Sequence, residues 1–484
     1  MKNYKTMIKK LLILLFLVPL TFSSCKKFLD VNENPNNPDN ADPSLLLPVV
    51  QASIGQIVGN SFQVYGNFWA QYWTQSPSSS QYRTIDQYRV TSTNFDRPWL
   101  TIYRNALVNA EIIINNNTAN NQHIQGIAYL LKAYTFQLAT DAFGDIPLSE
   151  ALKGNAFASP HYQPQKVVYD SIFNYIDRGL MLINTSNATS PGSQDIVFNG
   201  NMTQWRAFGN TLKLRAFLRL SQVDPTRAQA GVAALYSSGA SFLTDDASIS
   251  YLSTGGNENP FYNEMVGLGG TQNPVASATA VNAYRRNNDP RVFKFYDVVG
   301  TADTVANIRQ GSYASNANKQ VSPPSALVGA RGSNSASATA PVKLISASES
   351  YFLQAEAVAR GWTTGNLATL FTTGIRESFE AWGIAGSATA YIQTAPDAQL
   401  PGTTAGNIRA IITQKYYAMN GFQGFEAWTE WRRTGYPEFI QTSAASTLGA
   451  GRMPLRFLYP NSEVTTNLNY PGTIPIYEPV WWDK

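Results

Sequence analysis

The sequence predicts an all-α, mainly helical protein in which paired helices form a scaffold that carries long irregular loops. Three observations lead there. Apolar residues recur at three- and four-residue spacing over much of the chain. The periodic segments follow one another in pairs. Between them lie stretches rich in Gly, Pro, Asn, Ser and aromatic residues.

Taken in order, Ile102, Ala106, Val108, Ala110 and Ile113 give one amphipathic face. Ile124, Ile127, Ala128, Leu131, Thr135 and Leu138 give a second, matching a period of 3.6. Pro164 opens a third helix at a favoured first-turn position, with Val168, Ile172, Ile176, Leu180 and Ile183 behind it. A fourth runs over 203–222 through Trp205, Phe208, Leu212 and Leu220, and a fifth starts near Pro225. Further helices are expected at 346–360, 367–382, 405–419 and 422–432. The tetratricopeptide consensus itself is absent. The irregular stretches are 75–99, 241–284, 293–342 and 448–484. Loops of that length in a compact protein are usually functional or disordered. The Ser/Ala/Gly/Asn-rich segment 312–340 reads as a linker or a long surface loop.

The amino terminus has its own logic. Lys2, Lys5, Lys9 and Lys10 precede an apolar run over residues 11–20. A basic flank with so short an apolar stretch is a secretory signal and cannot span a bilayer. Leu20-Thr21-Phe22-Ser23-Ser24-Cys25 then looks like a bacterial lipobox, loosened where Leu is usual. Cys25 is the only cysteine, so no internal disulfide is open to it. Cleavage before Cys25 and acylation of the new terminus give it a use, and two or more acyl chains hold a protein stably on a membrane. The stretch 31–43 is dense in Asn, Asp and Pro and cannot build a core. The expected division is therefore a signal at 1–24, a lipidated cysteine and tether at 25–44, and the folded body at 45–484. After Pro43 no apolar run reads as long enough for a transmembrane helix.

Composition narrows the partners. The chain carries a formal charge of +4, but the signal contributes four lysines and no acids, so the mature chain is close to neutral. Nucleic acid, which demands a basic face, is excluded as a partner. Charged residues are 14% and aromatics 12%, with abundant Asn, Gln, Ser and Thr. Such a surface suits a neutral, hydroxyl-rich ligand better than a phosphorylated one.

Four motif blocks then stand out. Ala128-Tyr129-Leu130-Leu131-Lys132-Ala133-Tyr134 leads into Asp141-Ala142-Phe143-Gly144-Asp145-Ile146-Pro147. The second block is Trp205-Arg206-Ala207-Phe208-Gly209-Asn210, the third Phe352-Leu353-Gln354-Ala355-Glu356-Ala357. The last joins Gln414-Lys415-Tyr416-Tyr417-Ala418 to Glu426-Ala427-Trp428-Thr429-Glu430-Trp431-Arg432-Arg433-Thr434-Gly435-Tyr436-Pro437. Together they resemble the SusD/RagB family of outer-membrane nutrient-binding lipoproteins, over essentially the whole mature chain. The resemblance implies a fold of tetratricopeptide-like helix pairs, with 45–484 as a SusD-like nutrient-binding domain. It also implies a surface-exposed, lipid-anchored place on the cell outer membrane. The implied partner is a SusC-like TonB-dependent transporter, on which the lipoprotein sits as a lid over an oligosaccharide, or alternatively a peptide.

Read on their own chemistry, these blocks are structural. Gly144 ends a helix and Pro147 stops its continuation. Asp141 and Asp145 invite an acid/base reading, but a helix exit calls for capping and turn hydrogen bonds. Trp428, Trp431, Arg432 and Arg433 read as packing and ion-pair residues.

The rival function is a surface glycoside hydrolase or peptidase. The two histidines, His123 and His161, sit in no metal-binding spacing and no nucleophile elbow. No cofactor and no metal is expected. A carboxylate-pair glycosidase needs no histidine and is excluded by the resemblance alone. A third reading is a purely structural partner of the transporter.

For the ligand site, sugars call for aromatic faces and for Asn, Gln and Arg donors in a concave setting. Phe68-Trp69-Ala70-Gln71-Tyr72-Trp73-Thr74-Gln75 is the densest mix of such groups, and it leads into a loop with Tyr82, Arg83 and Tyr88. Its three- and four-residue spacings equally fit burial along the first long helix. Asn257-Glu258-Asn259-Pro260-Phe261-Tyr262 lies in a Gly-rich stretch with no helical period. The expected ligand contacts are Trp73, Gln75, Tyr82, Phe261 and Tyr262.

Overall fold

A computed structural model describes residues 42–116, 119–185, 188–301 and 303–483. The signal, Cys25 and the expected tether up to residue 41 lie outside the described residues.

Helices form where the apolar spacing puts them. The first long helix is two, Pro43–Gly59 and Ser61–Trp69. Next come a π-helical stretch Thr101–Leu107 and the α-helix Val108–Asn115. Gln122–Phe143, Gln165–Ile183, Met202–Arg219 and Pro225–Ser237 follow. The carboxy-terminal half adds Ala347–Ala359, Leu367–Ala381, Thr404–Met419 and Gly424–Thr434. Asn, Asp, Ser and Thr side chains start several of these helices. Asn201, Asp224, Ser346 and Thr403 each accept a hydrogen bond from a first-turn N–H. A cap of this kind contributes about 1 kcal/mol.

Pairing follows from small residues at the crossings. A Cβ on Gly126 would lie 2.9 Å from the Gly179 carbonyl, and one on Gly179 would lie 2.8 Å from the Gly126 carbonyl. The start of Gln122–Phe143 thus touches the end of Gln165–Ile183, which makes the two antiparallel. Leu130 and Leu180 reach Gly209 of the next helix at the same level.

Three two-stranded antiparallel pairs trim the bundle: β1 (Trp73–Gln75) with β5 (Pro274–Ala276), β2 (Ile146–Pro147) with β3 (Tyr162–Gln163), and β4 (Ala247–Ile249) with β6 (Val342–Ile345). The Phe143–Pro147 motif makes the helix-to-strand exit. Gly144 takes φ 83°, which favours glycine, and Asp145 accepts the backbone N–H of Gln165 at 2.7 Å.

The irregular stretch 448–483 is packed into the body of the protein. Phe457 is fully buried, its ring centroid 5.2 Å from Phe62, 4.7 Å from Phe95 and 5.8 Å from Trp428. Trp482 is buried too and donates to Asp141 at 2.8 Å. An apolar payload of this size fixes an otherwise irregular chain. The segment Pro43–Trp69 is, by length and composition, apolar enough to cross a membrane, contrary to the sequence expectation. Here Leu47, Val50, Ile54, Phe62 and Phe68 pack in the core.

Beside this core lies a buried charge network. Arg219 pairs with Asp141 at 3.2 Å and with Glu426 and Glu430 at 2.5 Å. Arg433 grips Glu356 through both terminal nitrogens at 2.7 Å and reaches Glu430. Lys415 lies 3.3 Å from Glu349 and 3.6 Å from Glu426. Burial alone would raise the Glu430 carboxyl; Arg433, Lys415 and Arg219 outweigh it and hold it well below the usual range. The motif Glu426–Arg433 is thus an ion-pair and packing element, with the Arg432 guanidinium 3.6 Å from the centre of the Trp428 ring.

Candidate functional site

The segment after β1 is shaped by two buried polar side chains. Gln75 is fully buried. Its Nε2 donates to Ser79 Oγ at 2.8 Å and to the Ser76 carbonyl at 3.2 Å, and its Oε1 accepts the Tyr82 N–H at 2.7 Å. One side chain therefore closes the turn 76–82. The turn is fastened to the β5 side by Ser76 N–H donating to the Asn273 carbonyl and by Ser79 Oγ donating to the Gln272 carbonyl.

Asp86 does the same one layer in. It accepts from Thr74 Oγ1 at 2.6 Å and from Gln75 N–H at 2.8 Å, and Gln310 Nε2 donates to its other oxygen. Burial pushes its carboxyl up to about 6, against the pull of these hydrogen bonds. A folded pKa above the ordinary 3.8 means that the folded state keeps a proton that the unfolded chain has released. That contribution to stability is full below the unfolded pKa and is lost as pH rises through about 6. Urea midpoints should therefore contain a component that falls between about pH 4 and about pH 6. Asp86→Asn should lack it; the same slope in both proteins would contradict the assignment.

The structure corrects where the expected ligand residues point. Trp73 and Phe261 are fully buried and stack on one another, 5.3 Å apart at 12°. Tyr82 is 5% exposed; its ring meets Phe68 edge-on and its hydroxyl donates to Glu264 at 2.8 Å. Burial, with Glu264 adding to it, raises that phenol well above its ordinary value. Gln75 turns inward as described. Only Tyr262 keeps part of its side chain at the surface. The cause is local. β1 is covered on both faces, and Pro260 with the Asn259 cap starts a helix, Pro260–Gly267, where a loop was expected. Trp73, Phe261 and Tyr82 offer no open ring face to a ligand.

What these residues support lies just outside them. A cleft of about 580 Å³ is lined by Ser76, Ser78, Gln272, Lys319, Gln320 and Arg331, among others. On the other side of the same turn a smaller cleft, about 200 Å³, has Gln81, Tyr82, Asn94, Arg97 and Glu264 in its wall. Arg331 is oriented by an ion pair with Asp297. Lys319 donates to the Asn307 carbonyl at 2.8 Å. Hydroxyls, amides and two cations around an open space can read a polyhydroxylated ligand; pockets of this size take small ligands. Sequence reasoning followed rings and missed this lining. Its signal was the serine-rich stretch 76–80 after the strand, of which Ser76 and Ser78 line the cleft.

The enzyme candidates resolve as structure. Asp141 accepts from Tyr169 at 2.6 Å and from Trp482, and it pairs with Arg219. His123 meets the Thr185 carbonyl at 2.8 Å, and the exposed His161 meets Glu150 at 2.9 Å. Among the described residues no group of three or more His, Cys, Asp or Glu is placed to hold a metal.

Comparison with known proteins agrees with this picture. A family model described as "SusD-like_2: Starch-binding associating with outer membrane" matches residues 35–460. A SusD homolog from Bacteroides uniformis superposes with a TM-score of 0.77 at 24% identity, over 92% of this chain and 100% of that one. A chitin-binding SusD homolog from Flavobacterium johnsoniae gives 0.74 at 22%, over 91% and 97%. A further chitin-binding protein gives 0.75 at 24%, over 92% and 100%. No curated protein matches by sequence. With a family match across most of its length and the helix-pair fold to go with it, the chain belongs to the SusD-like family of non-catalytic, outer-membrane nutrient-binding proteins.

Proposed function

We propose that the protein captures oligosaccharides at the cell surface and delivers them to a SusC-like TonB-dependent transporter, held to the outer membrane by lipid on Cys25. The observation that carries the ligand class is the cleft beside the turn 76–82, walled by serine, glutamine, lysine and arginine side chains. Buried Gln75 and Asp86 preorganise that wall, which lowers the ordering cost of binding. Gln75 and Tyr82 thus serve the site through the backbone they fix, whereas Tyr262, partly exposed, lines neither cleft. Chitin binding by two similar structures and the starch-binding description of the family point to the same class.

Titration of the mature protein with chito- and malto-oligosaccharides tests this. Saturable binding without turnover is expected. Arg331→Ala combined with Gln272→Ala should weaken it by about 1.5–3 kcal/mol, the usual cost of losing hydrogen bonds from a charged donor. Affinity unchanged in that variant would move the site elsewhere, and turnover would make the protein an enzyme.

The anchor is tested separately. Cys25→Ala should move the protein from the membrane fraction to the soluble one, since no acyl chain would remain to hold it. Recovery wholly in membranes would overturn the lipid anchor.

A further inference from the structure

A second cleft, of about 480 Å³, opens elsewhere on the molecule and shares no lining residue with the two beside the turn 76–82. The helix Thr404–Met419 and the end of the helix Ala278–Arg286 form its walls, with the turn Pro396–Ala398 and the segment 437–439. The geometry points to a second saccharide-binding site here, reading vicinal hydroxyls with Arg286, Asp397, Gln399, Arg409 and Glu438 around Phe439.

The base of this cleft is a built network. Asp397 takes three hydrogen bonds on one oxygen, Oδ2, from Arg286, Asn287 and Tyr417, each at 2.7 Å. Among the described residues none is given to Oδ1, which remains an acceptor for a ligand. Burial would raise the Asp397 carboxyl, but the hydrogen bonds from Tyr417, Asn287 and Arg286 hold it below its ordinary value, so it accepts as a carboxylate. The Arg286 guanidinium lies 5.5 Å from the centre of the Phe439 ring, and Tyr417 lies parallel to that ring at 6.3 Å. The two residues fix both the ring and the guanidinium. At the rim Arg409 and Glu438 are more than half exposed and 3.9 Å apart, a separation that leaves each free to turn to a ligand. Exposed pairs of that kind contribute little by themselves.

The lining decides the ligand class. Two arginines face two carboxylates, so a phosphate or sulfate meets repulsion from Asp397 and Glu438, and an isolated cation meets it from Arg286 and Arg409. Planar donors alternating with planar acceptors suit neighbouring hydroxyls, each of which donates and accepts. Pro396, Pro401 and Pro437 with the edge of Phe439 supply apolar surface for the C–H faces of a sugar ring.

The test starts from the Arg331→Ala, Gln272→Ala protein, in which the first cleft is weakened, titrated with malto-, chito-, xylo- and manno-oligosaccharides. Residual saturable binding to at least one series is expected. Arg409→Ala with Glu438→Gln should weaken it roughly tenfold or more. Gln399→Trp, an exposed position, should block the cleft without touching the Asp397 network, with the fold checked by circular dichroism. Residual binding unchanged in both variants overturns the second site, as does no residual binding to any series. So does uptake of a zwitterionic peptide with no saccharide bound. Failure of the first cleft is separable: Arg331→Ala with Gln272→Ala would then bind like wild type, and the Arg409 and Glu438 variants would still report on the second.

Discussion

Replacing Arg433 by Ala should cost about 3–5 kcal/mol, because it takes one buried cation from two buried carboxylates at once. Glu356 loses the two-point grip of Arg433 and is left with Arg360, and Glu430 loses one of two cations held at 2.5 Å. Arg219 and Lys415 still reach Glu430, so the loss is concentrated at Glu356. Total stability of a domain is about 5–15 kcal/mol, so much of the variant should be unfolded or aggregated on expression. Arg433→Lys should fall between, because an ammonium cannot bridge both Glu356 oxygens in the plane of the carboxylate. Urea unfolding of both variants checks this. A midpoint for Arg433→Ala within error of wild type would contradict the network's place in the fold.

Trp73→Ala separates a core residue from a ligand platform. With the ring fully buried and stacked on Phe261, truncation should destabilise by about 3–5 kcal/mol, the range for emptying a large aromatic site in a core. A ring lying open under a sugar would behave differently: stability would hold while affinity fell by about 1–3 kcal/mol, by analogy with stacking of bases on aromatic side chains. Thermal melts and titration on one preparation read both quantities. Unchanged melting with weakened binding would restore Trp73 to the site.

That contrast shows where the sequence was legible and where it was not. Helices from Gln122 to Ser237 and from Ala347 to Thr434 were readable, because apolar recurrence at period 3.6 is a local property. The interior role of Glu426–Arg433 was readable as well, since arginines and acids interleaved with tryptophans have few other uses. The loops were not. Whether Trp73 faces a sugar or Phe261 depends on a strand pairing with residues some two hundred positions away, and spacing around Trp73 carries no trace of it. Pro260 after Asn259 was a helix-start signal that the Gly-rich surroundings hid. Phe457 and Trp482 sit in a segment without periodicity, yet they are buried, because their partners, such as Phe62, Phe95 and Trp428 for Phe457 and Arg219 and Arg432 for Trp482, come from distant parts of the chain. The cleft wall was the hardest to see: serines, glutamines and a lysine mark a binding surface only once the turn that presents them is known.

The central claim, that the turn 76–82 fastened by Gln75 presents a saccharide-binding cleft, is tested most directly by a crystal structure of the mature protein with the oligosaccharide that titrates best. The expected result is a sugar chain in the cleft between Ser76–Ser78 and Arg331, with hydroxyls hydrogen-bonded to Gln272 and Arg331 and the buried Trp73–Phe261 stack unmoved. A ligand bound elsewhere with this cleft empty, or one stacked on an everted Trp73, would contradict it.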